Sequence, residues 1–463
     1  MRLLLVSTYE LGHQPLHLAA PAAALRAAGH EVRTLDTSVE PWTREPIDWA
    51  EGVAFSVPMH TAMRLALRGA ATVRAARPEL PICFYGLYAT VSQDLTLGPA
   101  GVADQAIAGE YEKGLVDWAG ALGATAPAPQ VDPAAHGGVV IDLGRRRPAG
   151  VPARTGLPAL ERYAHLALGG EERPVGYVEA SHGCLHRCGH CPVPVVYDGR
   201  IRIVPDDVVL DDIERLVATG ARHITFGDPD FLNGPQHSRR IVATMHERWP
   251  ELTFDCTVKV EHILRHSDIW PEFAAAGCLF VVSAFETVHE ETLLRLHKGH
   301  TAADAADAVR LLRTHGIEIR PSFLPFTPWT TLDEVADIVD FVAALDLVPN
   351  VDPIQYTIRL LVPQGSLLEP VLAAEGRLGP YDAARLTWTW SSDDPAVDEL
   401  QTRLTALVEG GQTAGESMSA IYGRVQQAVW SAAGRRAAGY CPPLRPLSAM
   451  TERRPRLTEP WFC

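Results

Sequence analysis

The sequence is poor in cysteine, with eight in 463 residues. So low a content excludes a disulfide-stapled secreted scaffold and favours a reducing compartment, by default the cytoplasm. Long apolar runs are also lacking: none reaches the roughly 18–20 residues needed to cross a membrane, so no membrane partner is expected. The N-terminal run MRLLLVS is too short for a signal-peptide core and predicts a buried first strand.

Positive charge is in deficit as well, since 41 Lys and Arg stand against 56 Asp and Glu, giving a formal net charge of −15. General nucleic-acid binding depends on a basic surface and is therefore not expected. The hydrophobic content of 47% is ordinary for a globular protein with sizeable cores. The length favours two or three domains.

Strand-like and helix-like segments alternate over residues 1–125, where RLLLVS, EVRTLD, GVAFSV and PICFYG are separated by helical segments. This alternation predicts βαβ units and a parallel, Rossmann-like sheet. Such a sheet binds its ligand at the carboxyl ends of its strands. Here those ends read STYELGHQ, SVPMHTA, YGLYAT and AGEYE.

Three further regions follow. Residues 126–172 are rich in Pro, Gly and Ala and predict a linker. Residues 173–372 predict six βα units, which indicates an α/β fold with an open, partial (β/α)6 barrel of the TIM type. In such barrels the chemistry collects on the loops after the strands. Residues 373–463 predict a small helical C-terminal region with a Pro-rich tail.

Three cysteines stand together in EASHGCLHRCGHCPVPV, after the first predicted barrel strand. Cys184, Cys188 and Cys191 form a C-x-x-x-C-x-x-C pattern. A zinc site would need a fourth ligand, which one of the three neighbouring histidines could supply. A redox pair of Cys188 and Cys191 would leave Cys184 without a role. Three thiolates on one loop can also hold three irons of a [4Fe–4S] cluster and leave the fourth open, which explains both their number and their place.

This pattern resembles that of the radical S-adenosylmethionine (SAM) superfamily. ITFGDPDF is similar to that family's second strand, and FVVSAFETVHEETLLRLHKGHT to its fourth strand with a Ser/Glu pair and a downstream Lys-Gly. His190 departs from the aromatic residue that usually precedes the third cysteine. The resemblance covers about residues 173–370. It implies a [4Fe–4S] cluster on the three cysteines and SAM contacts by Ser283, Glu286 and Arg320.

The resemblance also implies a chemistry. SAM would chelate the open iron, and one electron from the cluster would yield a 5′-deoxyadenosyl radical that abstracts hydrogen from an unreactive carbon. The implied partners are a reductase or flavodoxin-type electron donor and a small-molecule or peptide substrate.

The parallel-sheet domain ahead of the barrel resembles the cobalamin-binding domain of many radical SAM enzymes. IAGEYEKGL is similar to that family's G-E-G-E segment, with Tyr111 replacing the second glycine. The D-x-H-x-x-G motif is absent, which favours cobalt without a histidine ligand; His13, His17 and His60 are the alternatives. A domain that has lost its cofactor is a further alternative. The implied cobalamin contacts are Tyr9, Gln14, Ser56, His60, Gly86 and Glu110.

The leading hypothesis is therefore a cobalamin-dependent radical SAM methyltransferase acting on an unactivated carbon. One alternative is a radical SAM reaction without methyl transfer, such as a rearrangement or an oxidation. Another, from a different class, is an iron–sulfur or metal-binding module without SAM chemistry.

Other residues have two interpretations each. Asp228 and Asp230 contact substrate or cap the next helix, and Glu261 faces the barrel mouth or is simply exposed. Buried packing is expected of three strand cysteines and three C-terminal tryptophans: Cys83, Cys256, Cys278, Trp388, Trp390 and Trp430.

The tail YCPPLRPLSAMTERRPRLTEPWFC resembles the end of a radical SAM family named for its CUAEP or CCAEP tail, where U is selenocysteine. One hypothesis is that a selenocysteine codon follows Cys463. Cys441 and Cys463 are candidate substrate-facing or redox thiols, and a disordered tail is the alternative.

Overall fold

The first sheet of the computed structural model is fully parallel. The structure describes residues 1–97, 101–123, 139–144, 150–435 and 454–459. The strands follow the order β2-β1-β3-β4-β5-β6, so the strand order reverses between β1 and β3 and opens a crevice at their carboxyl ends. The strands are β1 (Arg2–Ser7), β2 (Glu31–Asp36), β3 (Gly52–Ser56), β4 (Ile82–Tyr85), β5 (Gln105–Gly109) and β6 (Val139–Asp142).

Helices cover both faces of this sheet, because its strands are apolar on both sides. Phe55 and Phe84 belong to the core on one face, and Leu5 and Leu18 to the core on the other. The helices are α1 (Leu16–Ala27), α2 (Glu45–Trp49), α3 (His60–Ala76), α4 (Gln93–Thr96) and α5 (Tyr111–Gly123).

The second sheet has seven strands in the order β14-β13-β12-β11-β8-β7-β17. Five of its strands are parallel and form a partial barrel: β8, β11, β12, β13 and β14. The strands β7 and β17 extend one edge of the sheet in antiparallel orientation. The remaining strands are β7 (His165–Leu168), β8 (Glu171–Val178), β9 (Ser181–Gly183), β10 (Ile201–Ile203), β11 (His223–Phe226), β12 (Thr253–Thr257), β13 (Cys278–Glu286), β14 (Glu318–Phe323), β15 (Tyr381–Asp382), β16 (Thr387–Trp388) and β17 (Arg456–Leu457).

The helices that follow pack around this sheet and close it at the C-terminal end. The last helix lies on the helix Leu332–Ala344, where the Tyr422 hydroxyl donates to Val339 O at 2.9 Å and the Trp430 indole donates to Asp340 Oδ1 at 2.9 Å. The helices are α6 (Val193–Tyr197), α7 (Asp206–Ala218), α8 (Pro235–Arg248), α9 (Val260–Arg265), α10 (Trp270–Ala275), α11 (Glu290–Arg295), α12 (Ala302–Thr314), α13 (Leu332–Ala344), α14 (Glu369–Ala374), α15 (Pro395–Thr413) and α16 (Met418–Ala432). None of the described helices is long and apolar enough to span a bilayer.

The α/β fold class and the three-region architecture are confirmed, with two differences in detail. The predicted linker 126–172 contributes β6 to the first sheet and β7 to the second. The sixth predicted barrel strand reduces to one parallel bridge between Phe326 and Arg359, because the segment begins with a 3₁₀ turn at Pro353, which has no N–H to donate to a ladder. The domain bounds 1–125 and 173–372 stay predictions.

The two α/β regions are joined by a buried ion pair. Arg154 donates to both carboxylate oxygens of Asp212 at 2.7 Å and to Tyr177 O at 2.7 Å. Asp212 and Tyr177 both belong to the barrel region. From the first region, the Gln14 side chain accepts from Arg154 at 3.0 Å and donates to Pro158 O at 2.8 Å. Gln14 thus has both of its polar atoms committed to this junction.

Replacing Arg154 with methionine is expected to lower the free energy of unfolding by about 3–5 kcal/mol, because Asp212 would be left as a buried, uncompensated charge. The measurement is urea unfolding of the full chain. Arg33→Met, which removes an exposed ion pair with Glu45, is the matched control and should cost no more than about 1 kcal/mol. Equal costs for the two variants would contradict the role assigned to Arg154.

Candidate functional site

The cysteine loop leaves β8 and is fixed by backbone and side-chain bonds. Gly183 has φ +76°, and a Cβ there would lie 2.3 Å from Arg200 O, so only glycine fits the start of the loop. Farther on, Gly189 N donates to Leu296 O at 3.0 Å, and Leu185 N donates to Asn233 Oδ1 at 3.3 Å. The loop is therefore held in place by its own glycines and by the loops after β11 and β13.

The three thiols of the loop are largely shielded from solvent. Cys184 and Cys188 are buried and Cys191 is half-buried. In the part of the chain that the structure describes, one group of three potential ligands has all its ligand atoms within 4.8 Å, and the cysteine sulfurs are not in it. Three thiolates on one loop can hold three irons of a [4Fe–4S] cluster and leave the fourth open.

Burial raises the pKa of the Cys184 thiol above its ordinary value and that of Cys191 to about 12. Thiolates at these positions therefore need a positive partner, which metal ions supply on binding.

The three histidines of the loop point in different directions. His190 Nε2 lies 3.0 Å from Glu286 Oε1, on the barrel side. His186 Nε2 lies 3.3 Å from the ring of His262. His182 Nδ1 lies 3.0 Å from Glu110 of the first region. None completes a zinc site with the cysteines, and each connects the loop to another part of the molecule.

The residues predicted for SAM lie on β13 and β14. A bulge after Ala284 and a φ of +63° at Glu286 re-aim the Glu286 carboxylate. Ser283 is fully buried and its hydroxyl has no hydrogen-bond partner. On the next strand Arg320 bonds Asp352 at 3.0 Å with one Nη atom, while its other Nη has no partner. These free polar atoms fit a polar ligand such as SAM.

Glu286 is ionised by its neighbours. Lys298 Nζ and His190 Nε2 each lie 3.0 Å from Glu286 Oε1. Burial alone would raise the pKa of the Glu286 carboxyl, but Lys298 and His190 together hold it well below its usual range. A nearby histidine that the sequence did not single out, His300, is buried with neither ring nitrogen hydrogen-bonded.

The loop after β11 carries Asp228 and Asp230. Asp228 accepts from Ala180 N at 2.9 Å and from Ser181 Oγ at 2.6 Å, so it fixes the start of the cysteine loop. Asp230 caps the next 3₁₀ turn through Leu232 N at 3.0 Å, as one of its two interpretations predicts. Glu261 is partly exposed beside Lys259, at 3.9 Å.

A cavity of about 180 Å³ lies between the two sheets, at the carboxyl ends of their strands. From the first region it is lined by Glu10, Leu11, His17, Pro58, Met59, Leu87, Gly109, Glu110, Tyr111 and Glu112. The barrel side consists of Tyr177, Glu179, His182, Gly183, Val193, Tyr197, Gly227 and Pro229. Gly183 and Val193 flank the cysteine pattern, so the cavity adjoins the cysteine loop.

Carboxylates and histidines alternate along the wall of this interdomain cavity. His17 Nδ1 lies 3.0 Å from Glu10, and its Nε2 lies 3.7 Å from Glu179 of the barrel. Glu179 in turn lies 3.4 Å from His182, which contacts Glu110 of the first region at 3.0 Å. This series of contacts therefore crosses between the two regions twice, from His17 to Glu179 and from His182 to Glu110.

The electrostatics of the wall follow from these contacts. Burial would lower the pKa of His182, but Glu110 and Glu179 raise it to about 10. His182 in turn lowers the pKa of Glu110 against the effect of burial. Burial raises the pKa of Tyr197 well above its ordinary value, so its hydroxyl stays neutral and donates to Glu110 at 2.9 Å.

The residues predicted for cobalamin divide into three groups. Glu110 lines the interdomain cavity. Ser56 and Gly86 lie at the ends of β3 and β4, where the Ser56 hydroxyl is buried without a hydrogen-bond partner and Gly86 has φ +114°. Tyr9, Gln14 and His60 are committed elsewhere: Tyr9 donates to Glu459 at 2.9 Å, Gln14 bonds Arg154, and His60 Nε2 lies 2.7 Å from Arg385 O.

Of the three histidines considered for cobalt, only His17 lines the cavity; His13 is buried against Tyr177. Ser56, with an orphaned buried hydroxyl at a strand end, and Glu10, with one buried oxygen that lacks a partner, fit a large polar cofactor in this crevice. The sequence singled out His17 and His182 only as possible metal ligands and did not single out Glu179, because their partners in the cavity wall are distant in the chain. The predictions for Cys441 and Cys463 fall outside the described residues.

The pair of His17 and Glu10 predicts a pH dependence. Burial lowers the pKa of His17, but Glu10 and Glu179 outweigh it and raise the value from 6.5 to about 9. A raised pKa means that the stabilisation is complete below pH 6.5 and is lost as the pH rises through about 9. His17→Gln should therefore cost more stability at pH 6 than at pH 10, measured by urea unfolding. The same cost at both pH values would be evidence against the ion pair.

Comparison with known proteins agrees with this geometry. Residues 178–342 match the radical SAM superfamily, and residues 2–118 match the B12 binding domain. The hopanoid C-3 methylase of Methylococcus capsulatus is 24% identical over 330 residues, 68% of this chain and 62% of that protein. The anaerobic magnesium-protoporphyrin IX monomethyl ester cyclase of Synechocystis is also 24% identical, over 80% of this chain and 75% of that protein. The chain thus spans less than two thirds of the hopanoid methylase.

Two solved structures share the fold. The radical SAM methyltransferase TsrM of Kitasatospora setae, with tryptophan and a SAM analogue bound, has a TM-score of 0.59 at 22% identity, over 74% of this chain and 71% of that one. The cobalamin-dependent SAM radical enzyme OxsB has a TM-score of 0.65 at 14% identity, over 89% and 67%. A radical SAM domain implies a [4Fe–4S] cluster and SAM, and a B12 binding domain implies cobalamin. The chain thus carries a B12 binding domain followed by a radical SAM domain.

Proposed function

We propose that this protein is a methyltransferase that acts on an unactivated carbon of a small-molecule or peptide substrate. The observation that supports this most directly is the interdomain cavity, which is bounded on one side by the B12 binding domain and on the other by residues flanking the cysteine loop. Methyl transfer to a carbon radical requires these two sites to face each other across an enclosed space. When bound, the cluster and SAM supply a carbon-centred radical, and methylcobalamin supplies the methyl group.

The chain's own residues hold and orient these groups. Cys184, Cys188 and Cys191 bind the cluster. Arg320, with one Nη that has no hydrogen-bond partner, donates to the SAM carboxylate, and the Ser283 hydroxyl bonds its ribose. These assignments are supported by two buried polar atoms on β13 and β14, Ser283 Oγ and one Arg320 Nη, which have no hydrogen-bond partner. A polar ligand would satisfy them.

The wall of the interdomain cavity orients the substrate. The Tyr177 hydroxyl donates to Glu179 at 3.0 Å, and Tyr197 donates to Glu110 at 2.9 Å, so the carboxylates are fixed by neutral donors as well as by histidines. A wall with its polar atoms bonded in place offers fixed dipoles and little room for water, which protects a radical from side reactions. Glu110 and Ser56 are the proposed cobalamin contacts at this wall, with Gly86 allowing close approach.

The remaining proposals concern the protein's surroundings. An external one-electron donor of the flavodoxin type and a reducing compartment such as the cytoplasm would suit an oxygen-sensitive cluster on three thiolates. A second candidate function, a radical reaction without methyl transfer, is favoured by the similarity to a protein named as a cyclase.

Cobalamin binding tests the proposal first. Full-length protein produced anaerobically with hydroxocobalamin is expected to retain about one cobalamin per chain after gel filtration, measured by its visible absorbance. Glu110→Gln is expected to weaken retention, since it removes a charged acceptor in the crevice, whereas Glu45→Gln on the surface of the same domain should not. A cluster-loaded protein that retains no cobalamin would overturn the methyltransferase proposal.

A further inference from the structure

Three potential metal ligands meet at the barrel mouth, beside the cysteine loop. His186 comes from that loop, Asp230 from the loop after β11, and His262 from α9 after β12. His186 Nε2 lies 3.3 Å from His262 Nε2 and 4.0 Å from Asp230 Oδ2. Their ligand atoms all lie within 4.8 Å of one another.

Two of these side chains carry buried polar atoms without a hydrogen-bond partner. Asp230 is fully buried and His262 is 4% exposed. Asp230 Oδ2 and His262 Nδ1 lie 2.8 Å apart, yet neither makes a hydrogen bond. Burying a polar atom without a hydrogen bond is costly. Other buried carboxylates of the barrel are bonded: Asp255, for example, accepts from Thr225 at 2.7 Å.

We propose that His186, Asp230 and His262 bind one divalent transition-metal ion, in addition to the cluster on the three cysteines. Two imidazoles and one carboxylate are a donor set that suits Fe²⁺ or Zn²⁺. At a metal–nitrogen length of about 2.0–2.1 Å, two ligands of a tetrahedral ion lie about 3.3–3.4 Å apart. The 3.3 Å between the two Nε2 atoms matches this separation. The two distances to Asp230 Oδ2, 4.0 Å from His186 Nε2 and 2.8 Å from His262 Nδ1, lie on either side of it. The ion would also give Asp230 Oδ2, which makes no hydrogen bond, a direct ligand bond.

Charges around the group are nearly balanced. Glu261 Oε2 lies 3.8 Å from His186 Nδ1 and 3.9 Å from Lys259 Nζ, so one nearby ammonium group is offset by one carboxylate. Glu261 is placed to orient the His186 ring from the side opposite the ion, as outer carboxylates do at metal sites. The ion would tie the cysteine loop to the ends of β11 and β12.

The test is metal content of the reconstituted holoenzyme. After titration with one to three equivalents of Zn²⁺ and gel filtration, wild-type protein is expected to hold about one zinc per chain with its cluster iron unchanged, by plasma mass spectrometry. His262→Ala and Asp230→Asn are expected to weaken Zn²⁺ binding by at least about 100-fold, more than the loss of an outer partner. His266→Ala, one turn away on the same segment, is the matched control and should keep the zinc.

The readouts separate this proposal from misfolding. Circular dichroism and cluster absorbance report whether each variant is folded, and Co²⁺ replaces Zn²⁺ to give visible bands that report imidazole ligation in wild-type protein. If a variant does not fold, the wild-type stoichiometry and Co²⁺ spectrum decide alone. Wild-type protein that holds no zinc beyond trace, or folded His262→Ala and Asp230→Asn that bind as wild type does, would overturn the proposal. Neither result bears on methyl transfer.

Discussion

Replacing Cys188 with alanine is expected to remove the [4Fe–4S] cluster and to reduce 5′-deoxyadenosine formation from SAM by more than about 100-fold. Changes to outer partners of a metal site already cost about 10–100-fold, and this change removes one of three ligands. Cys188 is buried in a loop that is fixed by the Gly189 N bond to Leu296 O. The measurements are iron and sulfide content, visible absorbance and product analysis by mass spectrometry.

Cys278→Ala is the matched control for this experiment. Cys278 is a buried cysteine on β13, and its sulfur contacts Phe280 O at 3.8 Å within its own strand. Its replacement should cost about 1 kcal/mol of stability and leave iron content and SAM cleavage unchanged. If Cys188→Ala keeps four irons and cleaves SAM as wild type does, the three-cysteine assignment is wrong.

Replacing Lys298 with methionine is expected to lower the free energy of unfolding by about 3–5 kcal/mol at neutral pH, because the Glu286 carboxylate would lose its main partner in a buried site. Lys298 is 3% exposed and Glu286 6%. The pKa of Glu286 is depressed in the folded protein, so the stabilisation is present above its ordinary value of 4.5 and is lost as the pH falls. The destabilisation should therefore shrink in acid.

Two further variants make this prediction specific. The double variant Lys298→Met with Glu286→Leu should recover much of the stability, since replacing a buried pair by apolar side chains is often neutral. Lys113→Met, which removes an exposed pair with Asp117, should cost no more than about 1 kcal/mol. If Lys298→Met lowers the free energy of unfolding by no more than Lys113→Met does, the pair of Lys298 and Glu286 contributes little to stability.

Local patterns in the sequence predict much of this fold. The runs that form β1 to β4 and β11 to β14 are strands because each is short, largely apolar and followed by a helical segment. The cysteine loop could also be predicted from the sequence, because the whole C-x-x-x-C-x-x-C pattern lies within eight residues, from Cys184 to Cys191. The role of Glu286 was implied only by the family resemblance of the segment FVVSAFETVHEETLLRLHKGHT.

Contacts between distant segments could not be predicted in this way. Glu110 and His182 meet across 72 positions in sequence, and Tyr9 meets Glu459 across 450. Gln14 lies in the loop after β1, where a cobalamin contact was predicted, but its side chain is hydrogen-bonded to Arg154. The antiparallel edge formed by β7 and β17 depends on a tail strand of two residues, Arg456–Leu457, which has no signal of its own.

The measurement that tests the central claim most directly is the ratio of two co-products. Anaerobic holoenzyme carrying its cluster and cobalamin is given SAM, an electron donor and candidate substrates, and products are quantified by mass spectrometry. A cobalamin-dependent radical SAM methyltransferase is predicted to form both 5′-deoxyadenosine and S-adenosylhomocysteine, with a product one methyl group heavier than its substrate. 5′-Deoxyadenosine with an unmethylated product would indicate the non-methylating reaction. The absence of both co-products from protein with full cluster and cobalamin content would contradict the account.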